Sequence, residues 1–158
     1  MATSTNAAVP TTQAWVDFRS DEGRFRIQMP EQPERSQQEV AVGDISLTLV
    51  LFTAMVTDSA AYDVGYVDYP ESIAEADPAV VLDGVVQGAA KQVSGTVTSN
   101  VPTTANGSPA VDYVVAVQGG QVQARAILIA NRFYILQHAA EKPDPDAFGR
   151  LVASFELA

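Results

Sequence analysis

Cysteine is missing from the sequence, and histidine occurs once, as His138. Without cysteine there is no disulfide, no thiolate metal site and no thiol nucleophile. One histidine without cysteine argues against a His-based zinc site as well. Cations are the next shortage. Nine Lys and Arg stand against 19 Asp and Glu, for a net charge of −10 over 158 residues. Such a surface repels phosphate backbones and anionic headgroups, which argues against nucleic-acid binding and against electrostatic membrane attachment. The longest strongly apolar run, Ile45 to Thr57, is about 13 residues of strand formers, too short to span a bilayer. No Gly-x-Ser-x-Gly elbow and no Gly-Lys-Ser/Thr phosphate loop is present. Asp144-Pro145-Asp146 has the opening of a calcium loop. However, Phe148 takes its third ligand position and Phe155 its twelfth, where a bidentate carboxylate is needed. Asn106-Gly107-Ser108 fits a glycosylation sequon, but Pro109 follows and a turn is the better reading.

What is present is a pattern of strands. Val111 to His138 reads as three consecutive strands, joined by tight turns at Gly119-Gly120 and Asn131-Arg132. Val111, Tyr113, Val115 and Val117 share one face of the first, and Val122, Ala124, Ala126, Leu128 and Ala130 one face of the second. In the third, Phe133 and Ile135 oppose Tyr134 and Leu136. The strand centres are apolar on both faces, so the sheet is expected to be covered on both sides although its hairpins make it antiparallel. Upstream, Trp15 to Phe18 and Arg24 to Met29 flank the turn Ser20-Asp21-Glu22-Gly23. Phe25, Ile27 and Met29 alternate there with Arg24, Arg26 and Gln28, the pattern of a half-buried strand. Ser36 to Val42, the long run from Ile45, and Tyr62 to Tyr69 follow, with turns at Gly43-Asp44 and Asp58-Ser59.

Two helices are expected. Ser72-Ile73-Ala74-Glu75 has the form of a capping box. Asp77-Pro78 is the stronger start, an N-cap Asp with Pro at the first helical position. Leu82, Val85, Val86, Ala89 and Val93 then follow helical spacing until Gly95. Gly84 and Gly88 lie one above the other, as close packing on a sheet would require. Thr96 to Thr104 returns as a strand, and Asn106-Gly107 turns into the meander. A final helix opens at Asp144-Pro145, with Phe148, Leu151, Val152 and Phe155 on one stripe. Roughly eight strands and two late helices make an α+β fold, a central antiparallel β-sheet with helices on both faces.

The segment Phe18 with Gly23-Arg24-Phe25-Arg26-Ile27-Gln28-Met29-Pro30 resembles the opening of PsbP-like proteins. Tyr62-Asp63-Val64-Gly65-Tyr66-Val67-Asp68-Tyr69-Pro70 resembles the family's middle strand. Arg132-Phe133-Tyr134-Ile135-Leu136, the proline-bearing helix start and Ala153-Ser154-Phe155 resemble its close. The similarity runs from about Trp15 onward and implies the PsbP/Mog-like α/β/α sandwich. Members include thylakoid photosystem II extrinsic proteins, bacterial lipoproteins, a Ran-binding nuclear protein and secretion-effector chaperones, mostly non-catalytic binding or assembly factors. No family metal or partner residue maps onto a position here, so the resemblance informs fold more than activity.

Domain organisation follows. Residues 1–14, MATSTNAAVPTTQA, have the composition of a flexible leader, and residues 15–158 form a single PsbP-like domain. The leader reads as the start of a mature secreted or lipid-anchored chain whose export signal was trimmed, with a native disordered N-terminus as the other reading. His138, at a strand end, is expected to be a satisfied structural histidine or an exposed one rather than a catalytic base or ligand. The one candidate surface is acidic and aromatic: Asp58, Asp63, Asp68 and Glu71 with Tyr62, Tyr66 and Tyr69. It suits a hard cation or a basic partner, against the plainer reading of a tyrosine-packed strand with solvated turn acids. No catalytic residue, cofactor or metal is assigned. The expected function is a non-enzymatic, extracytoplasmic binding or assembly module for a protein partner. It touches a membrane only through a lipid anchor. The alternatives are a cytoplasmic chaperone or adaptor of the same fold and a carboxylate-dependent hydrolase.

Overall fold

The structure, a computed structural model, describes residues 15–42, 45–57, 60–142 and 144–157. The leader and the turns expected at Gly43-Asp44 and Asp58-Ser59, Asp58 included, lie outside the described residues.

Two antiparallel sheets account for most of the chain. Strands β1 (Val16–Ser20) and β2 (Phe25–Met29) form a hairpin. Strands β3 (Glu34–Val42), β4 (Ile45–Thr57) and β5 (Ala60–Asp68) form the first half of a larger sheet. A 3-10 turn (Glu71–Glu75) leads to helix α1 (Pro78–Gln92). The second half follows as β6 (Thr96–Ala105), β7 (Ser108–Val117), β8 (Gly120–Ile129) and β9 (Arg132–Ala140). Helix α2 (Pro145–Ser154) and the short β10 (Glu156–Leu157) end the chain. The large sheet has seven strands in the order β3-β4-β5-β9-β8-β7-β6, and the small one has three, β10-β2-β1. Each half of the large sheet is a run of neighbouring hairpins. The pairing of β5 with β9, Asp68 opposite Arg132 and Ala60 opposite Ala140, closes the two halves into one layer.

Both faces of that layer are buried, as the apolar strand centres demand, but by unlike covers. On one face lie Val50, Phe52, Val64, Tyr66, Ile127, Tyr134 and Leu136. They are roofed by Phe25, Ile27 and Met29 of the small sheet and by Leu151 and Phe155 at α2. On the other, Val111, Tyr113, Val115, Ala124, Ala126, Leu128 and Phe133 lie under Leu82, Val86 and Ala90 of α1. The expected α+β fold around an antiparallel sheet is present, while full cover of both faces by helices is not seen. Helix α1 packs chiefly on β6, β7 and β8, and the opposite face is covered by the small sheet together with α2, which packs on β8 and β9. The alternation of β2 drives this: its apolar row needs a core of its own, and the nearest is the aromatic face of the large sheet.

Local signals also move. The meander turns are Gln118-Gly119 and Ala130-Asn131, one residue earlier than expected, because Val117 pairs with Gly120 and Ile129 with Arg132. Gly119 supplies positive φ in the first, but Ala130 rather than Asn131 does so in the second. Likewise the β1–β2 turn is Asp21 to Arg24, with Arg24 left-handed. Asn106-Gly107 turns where expected, both residues at positive φ.

Both Asp-Pro helix starts hold. Asp77 Oδ1 accepts from Ala79 N at 3.0 Å and Asp144 Oδ1 from Ala147 N at 3.1 Å. The capping box at Ser72 does not form: the segment is a 3-10 turn without a side-chain cap. Gly95 ends α1 in a Schellman arrangement, donating to Ala90 O at 2.8 Å, with Ser94 in the left-handed position before it. A side chain at Gly95 would run into Val115 and the Ala116 carbonyl. Gly84 and Gly88, by contrast, face solvent and a Cβ on either would meet nothing, so close packing on the sheet does not explain them.

Candidate functional site

Asp58 lies outside the described residues, and the other six residues of the expected acidic and aromatic surface do not gather in one place. Asp63 is buried on the α1 side of β5, where Thr53 Oγ1 donates to it at 2.5 Å and Gln137 Nε2 at 3.0 Å. Tyr69 packs its ring edge-on against Phe133, centroids 4.7 Å apart. Glu71 is exposed on the 3-10 turn. Only Asp68 and Tyr66 meet, and they do so through Arg132. Among the described residues no three of His, Asp and Glu converge as metal ligands.

Arg132 is the centre of a clamp. Its Nε and one terminal nitrogen donate to the two Asp68 oxygens at 2.6 and 2.8 Å, and the other terminal nitrogen donates to Gly23 O at 3.1 Å. Its guanidinium lies 4.4 Å over the Tyr66 ring. Tyr134 Oη donates to the same Gly23 carbonyl at 2.6 Å, and Tyr66 Oη donates to Glu22 at 2.8 Å. Glu22 in turn takes a two-nitrogen fork from Arg35 at 2.7 and 2.9 Å. The turn of the small sheet is thus riveted to β3, β5 and β9. The Arg35 fork holds the Glu22 carboxyl below its ordinary range despite some desolvation. Burial, together with the bond to Glu22, pushes the Tyr66 hydroxyl up to about 12. The Asp68 fork raises Arg132 further, so this cation stays charged at any working pH. Every group here is spent on another, which is the chemistry of a structural joint.

His138 lies on the aromatic face, stacked on Tyr62 with centroids 4.4 Å apart. Burial depresses its pKa, partly offset by Asp144. Trp15 meets Tyr62 edge-on and carries Arg150 on its own face at 4.4 Å.

An open indentation lies elsewhere, on the outer side of the small sheet. It is an open groove of about 720 Å³. Its floor comes from β1 and β2, where Asp17 pairs with Gln28 and Arg19 with Arg26, and directly paired residues share a face. Phe18 and Ile27, between them, turn inward to the core. Glu156 extends the row beyond Arg26. One wall is α2, with Arg150, Ala153 and Ser154. Ser154 ties wall to floor: its hydroxyl accepts from Gln28 N at 3.0 Å and donates to Leu151 O at 2.9 Å. Arg19 reaches Asp21 at 3.3 Å and Arg26 reaches Glu156 at 2.9 Å, each through one nitrogen and in the open.

None of these groove residues was singled out from sequence as a site. The alternation of Arg24, Arg26 and Gln28 marks the solvent face of β2, and the hairpin register would have set Arg19 beside Arg26. Nothing in sequence joins Arg150 to them.

No protein-family model matches the chain, and no curated protein matches it in sequence. Among solved structures it is similar to the solution structure of cyanobacterial PsbP (CyanoP) from Synechocystis sp. PCC 6803. That likeness has a TM-score of 0.61 at 11% identity, over 93% of this chain and 94% of that one. The fold is therefore PsbP-like, in line with the resemblance read from Phe18 through Phe155.

Proposed function

We propose that the chain, as one domain from Trp15 on, is a non-enzymatic binding or assembly module that holds a protein partner outside the cytoplasm. The observation that carries this reading is the groove: a wide, open, strand-floored trough whose polar side chains point outward and are only loosely held. A surface of this shape offers contact area to another chain, whereas a reacting small molecule is better served by an enclosed pocket. The PsbP-like fold supports a non-catalytic role. The extracytoplasmic placement rests on the composition of the first 14 residues.

Cross-linking capture in the native host tests it, combined with fractionation of the cells. The expected result is one specific protein recovered with the chain from the extracytoplasmic fraction. Recovery of no specific partner, together with turnover of a metabolite by the purified chain, would overturn the reading. A chain confined to the cytoplasm with a client bound would favour the adaptor alternative.

A further inference from the structure

We infer that the groove on the small sheet takes an extended acidic segment of the partner, its carboxylates held by Arg19, Arg26 and Arg150. This rests on the binding-module reading above and adds the chemistry of what is bound. Four observations lead to it.

Arg19 and Arg26 stand directly opposite one another on neighbouring strands. Like charges in that position destabilise a hairpin, and here they point away from the core, where they serve no packing. The hairpin tolerates a repulsion that an anion between them would remove.

The second observation is how the cations are spent. Arg35, Arg125 and Arg132 each engage a carboxylate through two nitrogens. The groove arginines do not: Arg19 and Arg26 each touch one oxygen of an exposed acid, and Arg150 rests on an indole ring. Their forks stay open to a bidentate carboxylate.

Third, three of the chain's nine cations line this groove beside two acids, Asp17 and Glu156, with a third, Asp21, paired to Arg19, while the whole molecule carries −10. The groove is richer in cations than the chain as a whole, where acids outnumber them about two to one. Its acidic surroundings select the occupant: a nucleic-acid strand or an anionic bilayer would meet the repelling surface around it, whereas a short acidic peptide reaches the guanidiniums without covering that surface.

Fourth, the trough has the shape for an extended chain. Its floor is two strands and its wall a helix, and its volume suits a few residues. An extended segment presents every second side chain to one face, about 7 Å apart, so alternating carboxylates would run along the floor.

The test uses the full chain and a fluorescein-labelled peptide of alternating Glu and Thr, followed by fluorescence anisotropy. Binding is expected, and it should weaken as salt is raised. The double substitution R19E/R26E should lower affinity about tenfold or more, from two lost ion pairs and two new repulsions. K91E/K142E, which reverses two exposed cations outside the groove, should leave it within about twofold. R19Q/R26Q serves as the second variant should the reversal disturb folding, and circular dichroism melts check each. Three results would overturn the inference: no peptide binding by the unaltered chain, equal binding of the peptide with Gln in place of Glu, or equal loss in K91E/K142E. Binding of phosphatidylglycerol vesicles in preference to the peptide would overturn it too. If the captured host partner is retained by R19E/R26E, the acidic-segment inference fails while the binding-module reading stands. Absence of any host partner, together with turnover of a metabolite by the purified chain, fails that reading itself.

Discussion

Arg132 has a side chain 14% exposed and holds Asp68 with two nitrogens over a tyrosine ring, whereas Arg26 is 61% exposed and holds Glu156 with one. Both are arginines paired with carboxylates across a strand ladder, and both lie close to the same hairpin turn. Their surroundings separate them. Around Arg132 water is largely displaced, the guanidinium has a carbonyl, a carboxylate and a π face, and loss of any partner strands another. Around Arg26 water can replace the partner at little cost, because an exposed pair is worth about 0–1 kcal/mol. The first arrangement makes a joint and the second leaves a surface group available.

The sharpest way to break this comparison is Arg132→Ala. It should cost about 2–3 kcal/mol, since it leaves Asp68 and the face of the Tyr66 ring without their partner and takes one of its two donors from the Gly23 carbonyl. Urea unfolding measures it, and a loss under about 0.5 kcal/mol would dissolve the distinction between joint and surface. Next comes the turn that Arg132 grips. Gly23→Ala would set a Cβ 2.5 Å from the Phe25 ring and 3.0 Å from Tyr66, and should destabilise by about 1–2 kcal/mol through overpacking. An unchanged urea midpoint would mean the turn is not held where the clamp places it.

Two pH profiles sharpen the contrast further. Tyr66 titrates near 12 in the folded chain against an ordinary value of 10.0. Its contribution to stability should be full below pH 10 and should drain away as pH rises from there through 12, because the unfolded chain loses the proton first. Tyr66→Phe should flatten that part of the profile. His138 behaves in the opposite sense. Its folded pKa lies below the ordinary 6.5 through burial, so the unfolded chain binds the proton first as pH falls. Stability should decline below about pH 6.5, and His138→Gln should remove that decline, as unfolding midpoints across the acid range would record. The smallest effect belongs to the groove. Arg19→Ala and Arg26→Ala should each shift stability by no more than about 0.5 kcal/mol, and each removes the cross-strand repulsion. A larger loss in the urea midpoint would make these arginines structural.

The strands could be read from residue order because the information is local. Alternation in β2 and in the meander repeats every second residue, and each pattern is complete within one strand. The helix starts were legible for the same reason, since an Asp followed by Pro satisfies its own first turn. Where a local signal had a competitor, it failed. The box at Ser72 lost to a 3-10 turn squeezed between β5 and α1. The meander turns slid by one residue because the β8–β9 and β7–β8 ladders, not the turn residues, set the register. The acidic surface looked continuous because Asp63, Asp68 and Glu71 are near one another in sequence. On the sheet, strand alternation and distance along β5 pulled them apart, and Asp63 and Asp68 each found its own partner.

Composition and alternation alone were enough for the antiparallel, doubly buried layer and the two Asp-Pro helices, because each depends on neighbours a few residues apart; the PsbP-like outline came from the resemblance of the motifs between Phe18 and Phe155. The clamp and the groove waited on the folded chain. Arg132 reaches Gly23 across 109 positions, and Glu156 meets Arg26 across 130. Which of the arginines is locked and which stays open depends on how much water the surrounding packing leaves beside it, a quantity that exists only once the sheets have closed on each other.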